Sequence, residues 1–146
     1  MSASNAFETA ILQHIFENAD VANVGDATGL RGSTTAGSLY VSLHTSDPGE
    51  AGDQTTNETS YTSYARVAVA RSTAGWTVTN DTVANDAAVT FPACTGGTAT
   101  LTHFGIGTAS SGAGVLLLSG SLTASLAVSS GITPSFAISA LTATAA

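Results

Sequence analysis

Hydrophobic positions recur at helical spacing only once, near the start of the chain. Phe7, Ile11 and Ile15 fall four residues apart, with Leu12 and Ala19 beside them, which is the spacing of one helix face. Asn5 can cap the first turn with Glu8 three residues on, a capping-box arrangement. The pattern therefore predicts a helix from about Ala6 to Asn18. A lone helix on a β chain either packs into the core or serves as an arm against a neighbouring subunit, and both readings stand at this point.

The rest of the chain alternates with period two. Val21 to Ser38 is loop-like, with glycines at 25, 29, 32 and 37. Leu39, Val41 and Leu43 then alternate with Tyr40, Ser42 and His44, predicting a half-buried strand. Asp47-Pro48-Gly49 signals a turn, and Glu50 to Ser63 reads as a long exposed acidic loop. Tyr64 to Arg71, Trp76 to Val78, Val83 to Phe91 and Thr98 to Ile106 read as further strands. Leu116 to Val128 reads as two strands or as one with a bulge at Gly120. Pro134 to Leu141 closes the series with Phe136 and Ile138 in phase, leaving an Ala/Thr tail. About eight short strands with turn signals every 8–12 residues predict a mainly β fold, an antiparallel β-sandwich or jelly roll with one N-terminal helix. The expected organisation is an N-terminal helical arm over 1–20 and a single β-sandwich domain over 21–146.

Composition narrows the function classes. A chain of 146 residues with 43% hydrophobic residues can build a core without staples. Only 9% of residues are charged, against about 25% in ordinary globular proteins. Ala, Thr, Ser and Gly fill 82 of the 146 positions, so the surface must be largely hydroxyl, amide and small apolar groups. There is no lysine, and Arg31, Arg66 and Arg71 against ten acids give a net charge of −7. Clustered cations are what bind phosphate backbones and anionic lipid, so neither nucleic acid nor membrane is an expected partner. One cysteine, Cys94, excludes an internal disulfide. Met1 to Phe16 has no basic n-region and carries Glu8, which does not read as a signal peptide; synthesis in a reducing cytoplasm is expected.

Candidate chemistry is sparse. His14, His44 and His103 have no partner at metal-ligand spacing, and His44 and His103 lie on different expected strands. Asp47, Glu50 and Asp53 could offer oxygen ligands to a cation such as calcium, but their spacing does not match an EF-hand; a solvated turn is the plainer reading. Gly105-Ile106-Gly107-Thr108-Ala109-Ser110 lacks the third glycine and the helix of a phosphate loop. No Gly-x-Ser-x-Gly elbow surrounds any serine. The expectation is no catalytic, cofactor or metal residue. Trp76 is read as core. Phe7, Ile11, Ile15 and Phe16 on the helix, with Tyr61 and Tyr64 beside the acidic loop, are the candidate interface residues.

Several segments resemble short virion proteins of tailed bacteriophages: Leu39-Tyr40-Val41-Ser42-Leu43-His44-Thr45-Ser46-Asp47-Pro48-Gly49, then Tyr64-Ala65-Arg66-Val67-Ala68-Val69, Phe91-Pro92-Ala93, and His103-Phe104-Gly105-Ile106-Gly107. The Asn5-Ala6-Phe7-Glu8 helix start is similar too. The resemblance covers most of the chain and implies a structural protein of the virion, assembled in the host cytoplasm. The leading expectation is a capsid cement or decoration protein that binds the major capsid protein and copies of itself, as a trimer. The alternative is a tail component, baseplate- or fibre-associated, that contacts other tail proteins or a host surface glycan.

Overall fold

A computed structural model describes residues 3–145; the first two residues of the expected 1–20 arm and the last of the 21–146 domain lie outside the described residues. They form one helix, α1 (Asn5–Phe16), and nine strands: β1 (Ser38–His44), β2 (Val67–Ala70), β3 (Trp76–Thr79), β4 (Thr82–Asn85), β5 (Val89–Thr90), β6 (Ala99–Gly107), β7 (Leu116–Val128), β8 (Ser135–Phe136) and β9 (Thr142–Thr144). The sheet orders are β2-β1-β6-β7, β3-β4-β9 and β5-β8. The pairs β1–β6, β6–β7, β3–β4 and β4–β9 are antiparallel. The chain is therefore mainly β with antiparallel sheets and one N-terminal helix, as the alternation predicts.

Two compact units divide the chain. The first is Met1–Ser38, Val69–Ala88 and Phe136–Ala146. Its helix begins one residue earlier than expected: Ser4, extended at φ −89° and ψ 150°, is the N-cap, and its side chain accepts from the Phe7 amide. It ends at Phe16 because Asn18 turns left-handed at φ 61°, while the Ala19 amide bonds back to the Gln13 carbonyl at 3.2 Å. Leu12 and Phe16 are buried, and Phe16 meets the fully buried Trp76 edge-on at 4.9 Å between ring centres. Arg71 donates to the helix-end carbonyls of His14 and Ile15 at 2.8 and 2.7 Å, groups that no intrahelical amide can reach.

In the same unit, Asn85 explains two departures from the expected strands. Its amide is fully buried and donates to the Ala87 and Ala137 carbonyls at 2.7 and 2.8 Å. Its carbonyl accepts from the Leu141 amide at 2.9 Å. These bonds bend the chain after β4, so the expected Val83–Phe91 strand is two strands, β4 and β5. They also hold 137–141 in a turn, with Ser139 at φ 58°, so the expected Pro134–Leu141 strand shrinks to β8. The Ala/Thr tail instead supplies β9, paired Thr82 to Thr144.

The second unit is Leu39–Ala68 and Val89–Ser135. In β1, Leu39, Val41 and Leu43 are buried as expected, but so are Ser42 and His44, because polar partners await them. His44 pairs directly with His103 across β1–β6, although sequence spacing gave no reason to join them. β7 is one strand. Its two irregularities lie not at Gly120 but between the pairs Leu101–Leu126 and His103–Ser121 and between the pairs Ile106–Leu118 and Gly107–Leu116. Gly120 pairs with Phe104, and a Cβ there would come within 2.9 Å of the Phe104 ring.

Candidate functional site

The polar residues of the second unit gather around the loop between β1 and β2. The loop starts where Asp47 Oδ1 accepts from the Gly49 amide at 2.8 Å, the local bond that makes Asp-Pro-Gly a turn. Asp53 makes a second such turn, accepting from the Thr55 amide at 2.8 Å and from its hydroxyl at 2.6 Å. The Thr55 hydroxyl and amide hold the Asp53 carboxyl below its ordinary range.

The loop is not the exposed segment that its composition suggested. Gln54 is fully buried. Its side chain accepts from the Ala109 amide at 2.9 Å and donates to the Ala109 carbonyl at 3.3 Å. The Gln54 amide donates to the Ala113 carbonyl at 2.9 Å. Space for this side chain comes from glycine: a Cβ on Gly107 or on Gly114 would collide with the Gln54 side chain. Two glycines of the 105–114 stretch, Gly107 and Gly114, thus admit a glutamine rather than a phosphate.

His44 anchors the far side of the loop. Its Nδ1 lies 2.8 Å from the Thr56 carbonyl, which can only accept, so Nδ1 carries the proton. Nε2 then accepts from Ser42 Oγ at 2.8 Å. Burial disfavours the imidazolium and pushes the His44 pKa below its ordinary value. The structure therefore contains a Ser–His pair that the sequence did not disclose. Both residues are fully buried, and a Cβ on the overlying Gly105 would sit 2.7 Å from Ser42 Oγ and 2.8 Å from His44 Nε2. A nucleophile must meet its substrate, and this hydroxyl has no exposed surface.

Glu58 and Arg66 close the network. Arg66 Nε and Nη2 each lie 2.7 Å from one oxygen of Glu58. Arg66 Nη1 donates to the Ala109 carbonyl and Nη2 to the Gly112 carbonyl, both at 2.8 Å. The side chains are 2% and 14% exposed. The Glu58 carboxylate raises the Arg66 pKa further. Tyr64 donates to Glu58 at 2.8 Å and accepts from the Leu43 amide at 3.1 Å, and its burial pushes the phenol pKa well up. The Tyr64-Ala65-Arg66 and Leu43-His44-Thr45 motifs thus meet in one buried network that fixes the loop.

Of the six candidate interface residues, Phe7 is 51% exposed, while Phe16 and Tyr61 are 1% and 4% exposed. Ile11, Ile15 and Tyr64 are half-buried. Tyr61 donates to the Pro92 carbonyl at 2.9 Å and packs edge-on against Tyr64. Cys94 is buried and its thiol donates to the Gly96 carbonyl at 3.2 Å. Among the described residues, no three His, Cys, Asp or Glu side chains gather as a metal site, and no helix is long and apolar enough to cross a membrane. One open feature of this unit is a groove of about 440 Å³ between Asp47, Gly49, Glu50 and Gly52 of the loop and Leu116–Ser119 of β7. Sequence reasoning missed the outer edge of β7 and the role of Gln54. The glycines at 107 and 114 were the available signal for the latter.

The arrangement is a scaffold presenting an internally bonded acidic loop and a long uncharged strand, and comparison with known families agrees with a structural role. No curated protein matches the chain. The family model described as Podophage GP4 fiber I protein gp80 matches residues 2–144. The chain belongs to this family, and so is a structural protein of a phage virion.

Proposed function

We propose that this chain is a tail-fibre component of a podophage virion, working by contact and not by catalysis. The observation that carries the reading is the fibre family match over nearly the whole chain. It favours the tail alternative over the capsid-cement expectation, and neighbouring tail proteins over the major capsid protein as partners. The geometry fits. Every strongly polar cluster of the second unit is spent on holding its own loop, and the one Ser–His pair is sealed under Gly105. What β7 turns outward is Ser, Thr, Ala and Leu, a surface suited to extended contacts made side by side. Such a component is expected to assemble onto the tail in the host cytoplasm and to touch either the host surface or the proteins around it.

Copy number tests the reading. Quantitative mass spectrometry of purified virions against the major capsid protein is expected to give a small multiple set by tail symmetry. A ratio near one to one would move the chain to the icosahedral shell and restore the cement reading. Immunogold labelling of intact particles is expected to mark the tail end only.

A further inference from the structure

The outer edge of β7 is the least explained surface of the molecule. Among the described residues, β7 ends its four-stranded sheet and pairs only with β6. It is thirteen residues long, about 43 Å at strand spacing. It contains no charged residue and no proline. Most of it is exposed, Leu126 to 37%. An edge of this kind is a template for another strand, and native proteins guard such edges with lysine, proline, bulges or brevity. β2, the opposite edge of the sheet, is guarded by brevity at four residues. β7 has neither lysine nor proline and is not short; of these guards it carries only register shifts against β6, between Leu101 and His103 and between Ile106 and Gly107, and it runs through both as one strand.

We propose that β7 pairs antiparallel with β7 of a second copy about a two-fold axis, joining two four-stranded sheets into one of eight. Three observations select this occupant. First, identical antiparallel edges are self-complementary about a two-fold, each outward amide meeting the partner's carbonyl. Second, a head-to-tail ring would have to pair β7 with β2, which offers four residues where β7 offers thirteen. Third, the chain carries −7, and β7 is a long strip on which two copies meet without opposing like charges. The acidic wall of the groove, Asp47 and Glu50, lies against Leu116–Ser119. In an antiparallel pair that end meets the partner's Ala127–Ser129 end, where a second cleft is lined by the uncharged Thr98, Ala99, Thr100, Ala127, Val128 and Ser129. Full overlap puts the axis at Leu122.

Light scattering on the full chain tests this directly. The expected mass is twice the 14.4 kDa of one chain. The double variant Ser121→Lys/Thr123→Lys places like charges side by side across the axis while touching only exposed positions, and is expected to run as a monomer with an unchanged circular dichroism spectrum. A cysteine scan over 116–128, one variant at a time, keeps the proposal testable if that variant misfolds; the native thiol, Cys94, is buried and does not compete. Spontaneous disulfide dimers are expected at a single maximum at or beside Leu122. A monomeric wild type, a dimer indifferent to the two lysines, or cross-linking that is absent or uniform along the scan would overturn it. So would a trimer whose cross-links join β7 to β2.

Discussion

Replacing Arg66 with methionine keeps most of the buried stem and removes the charge. The guanidinium makes four short hydrogen bonds, two to Glu58 and one each to Ala109 and Gly112, from a side chain 2% exposed. Its loss leaves the Glu58 carboxylate, 14% exposed, without its counter-ion, and leaves two loop carbonyls short of a donor. Breaking a buried pair from one side costs about 3–5 kcal/mol. That is a large part of the stability of a typical domain, about 5–15 kcal/mol in all. The Glu58→Leu/Arg66→Met double variant removes both charges. It is expected to be more stable than Arg66→Met alone, with a coupling of about 1–3 kcal/mol. The recovery is incomplete, because the Tyr64 hydroxyl and the carbonyls of Ala109 and Gly112 still lose partners. Urea unfolding followed by circular dichroism measures all four members of the cycle. If Arg66→Met stays within about 1 kcal/mol of wild type, or the double variant equals the sum of the singles, the fork does not hold the loop.

Three further outcomes follow from the same unit and its neighbour. His44 has a depressed folded-state pKa, so its contribution is complete above its unfolded value of about 6.5 and is lost as pH falls from there towards the folded value; thermal melts across that window should show a slope that His44→Gln flattens while His14 and His103 remain. Gly107→Ala drives a methyl into Gln54 and should cost about 1–3 kcal/mol, and the extra cost should largely vanish in a Gln54→Ala background, read by denaturant midpoints. Trp76 is fully buried with an indole N–H that has no hydrogen-bond partner among the described residues; Trp76→Phe should therefore be tolerated far better than Trp76→Ala, whose cavity costs about 3–5 kcal/mol in melting experiments.

Much of the fold was legible because period-two alternation is a strong signal. β1, β3 and β6 lie where alternation puts them, and Trp76 is core as its size suggests. The failures share a cause. Asn85 and Gln54 are polar residues in turn-like or acidic surroundings, and sequence pattern assigns such residues to the surface. Each is instead buried with its amide hydrogen-bonded, and each determines backbone that alternation cannot see: the break after β4 and the docked β1–β2 loop. β9 escaped notice because Thr142, Ala143 and Thr144 carry no hydrophobic alternation, yet an open β4 edge is enough to recruit them. The Ser42–His44 pair was invisible for a related reason. The two residues are two apart on one strand face, which is visible, but their partner at Thr56 lies twelve residues beyond His44 across a loop.

The motifs that carried the virion resemblance therefore have a physical meaning that is separate from function. His44 holds Thr56, Tyr64 and Arg66 hold Glu58, and Gly105, Gly107 and Gly114 make room for Ser42, His44 and Gln54. Each is required by the packing of one loop against β6 and the turn that follows it. A segment recognisable for such reasons identifies the scaffold, and says little about what the scaffold touches. The residues that would meet a partner are under the opposite constraint. β7 needs only to be extended, uncharged and exposed, conditions that many Leu, Ser, Thr and Ala sequences meet equally well. A strand of that kind leaves no motif, so the surface proposed to join this chain to a second copy is the part of it least visible to sequence comparison, and it becomes visible only when the sheet order leaves the thirteen-residue β7 at an edge, with no neighbour beyond it among the described residues.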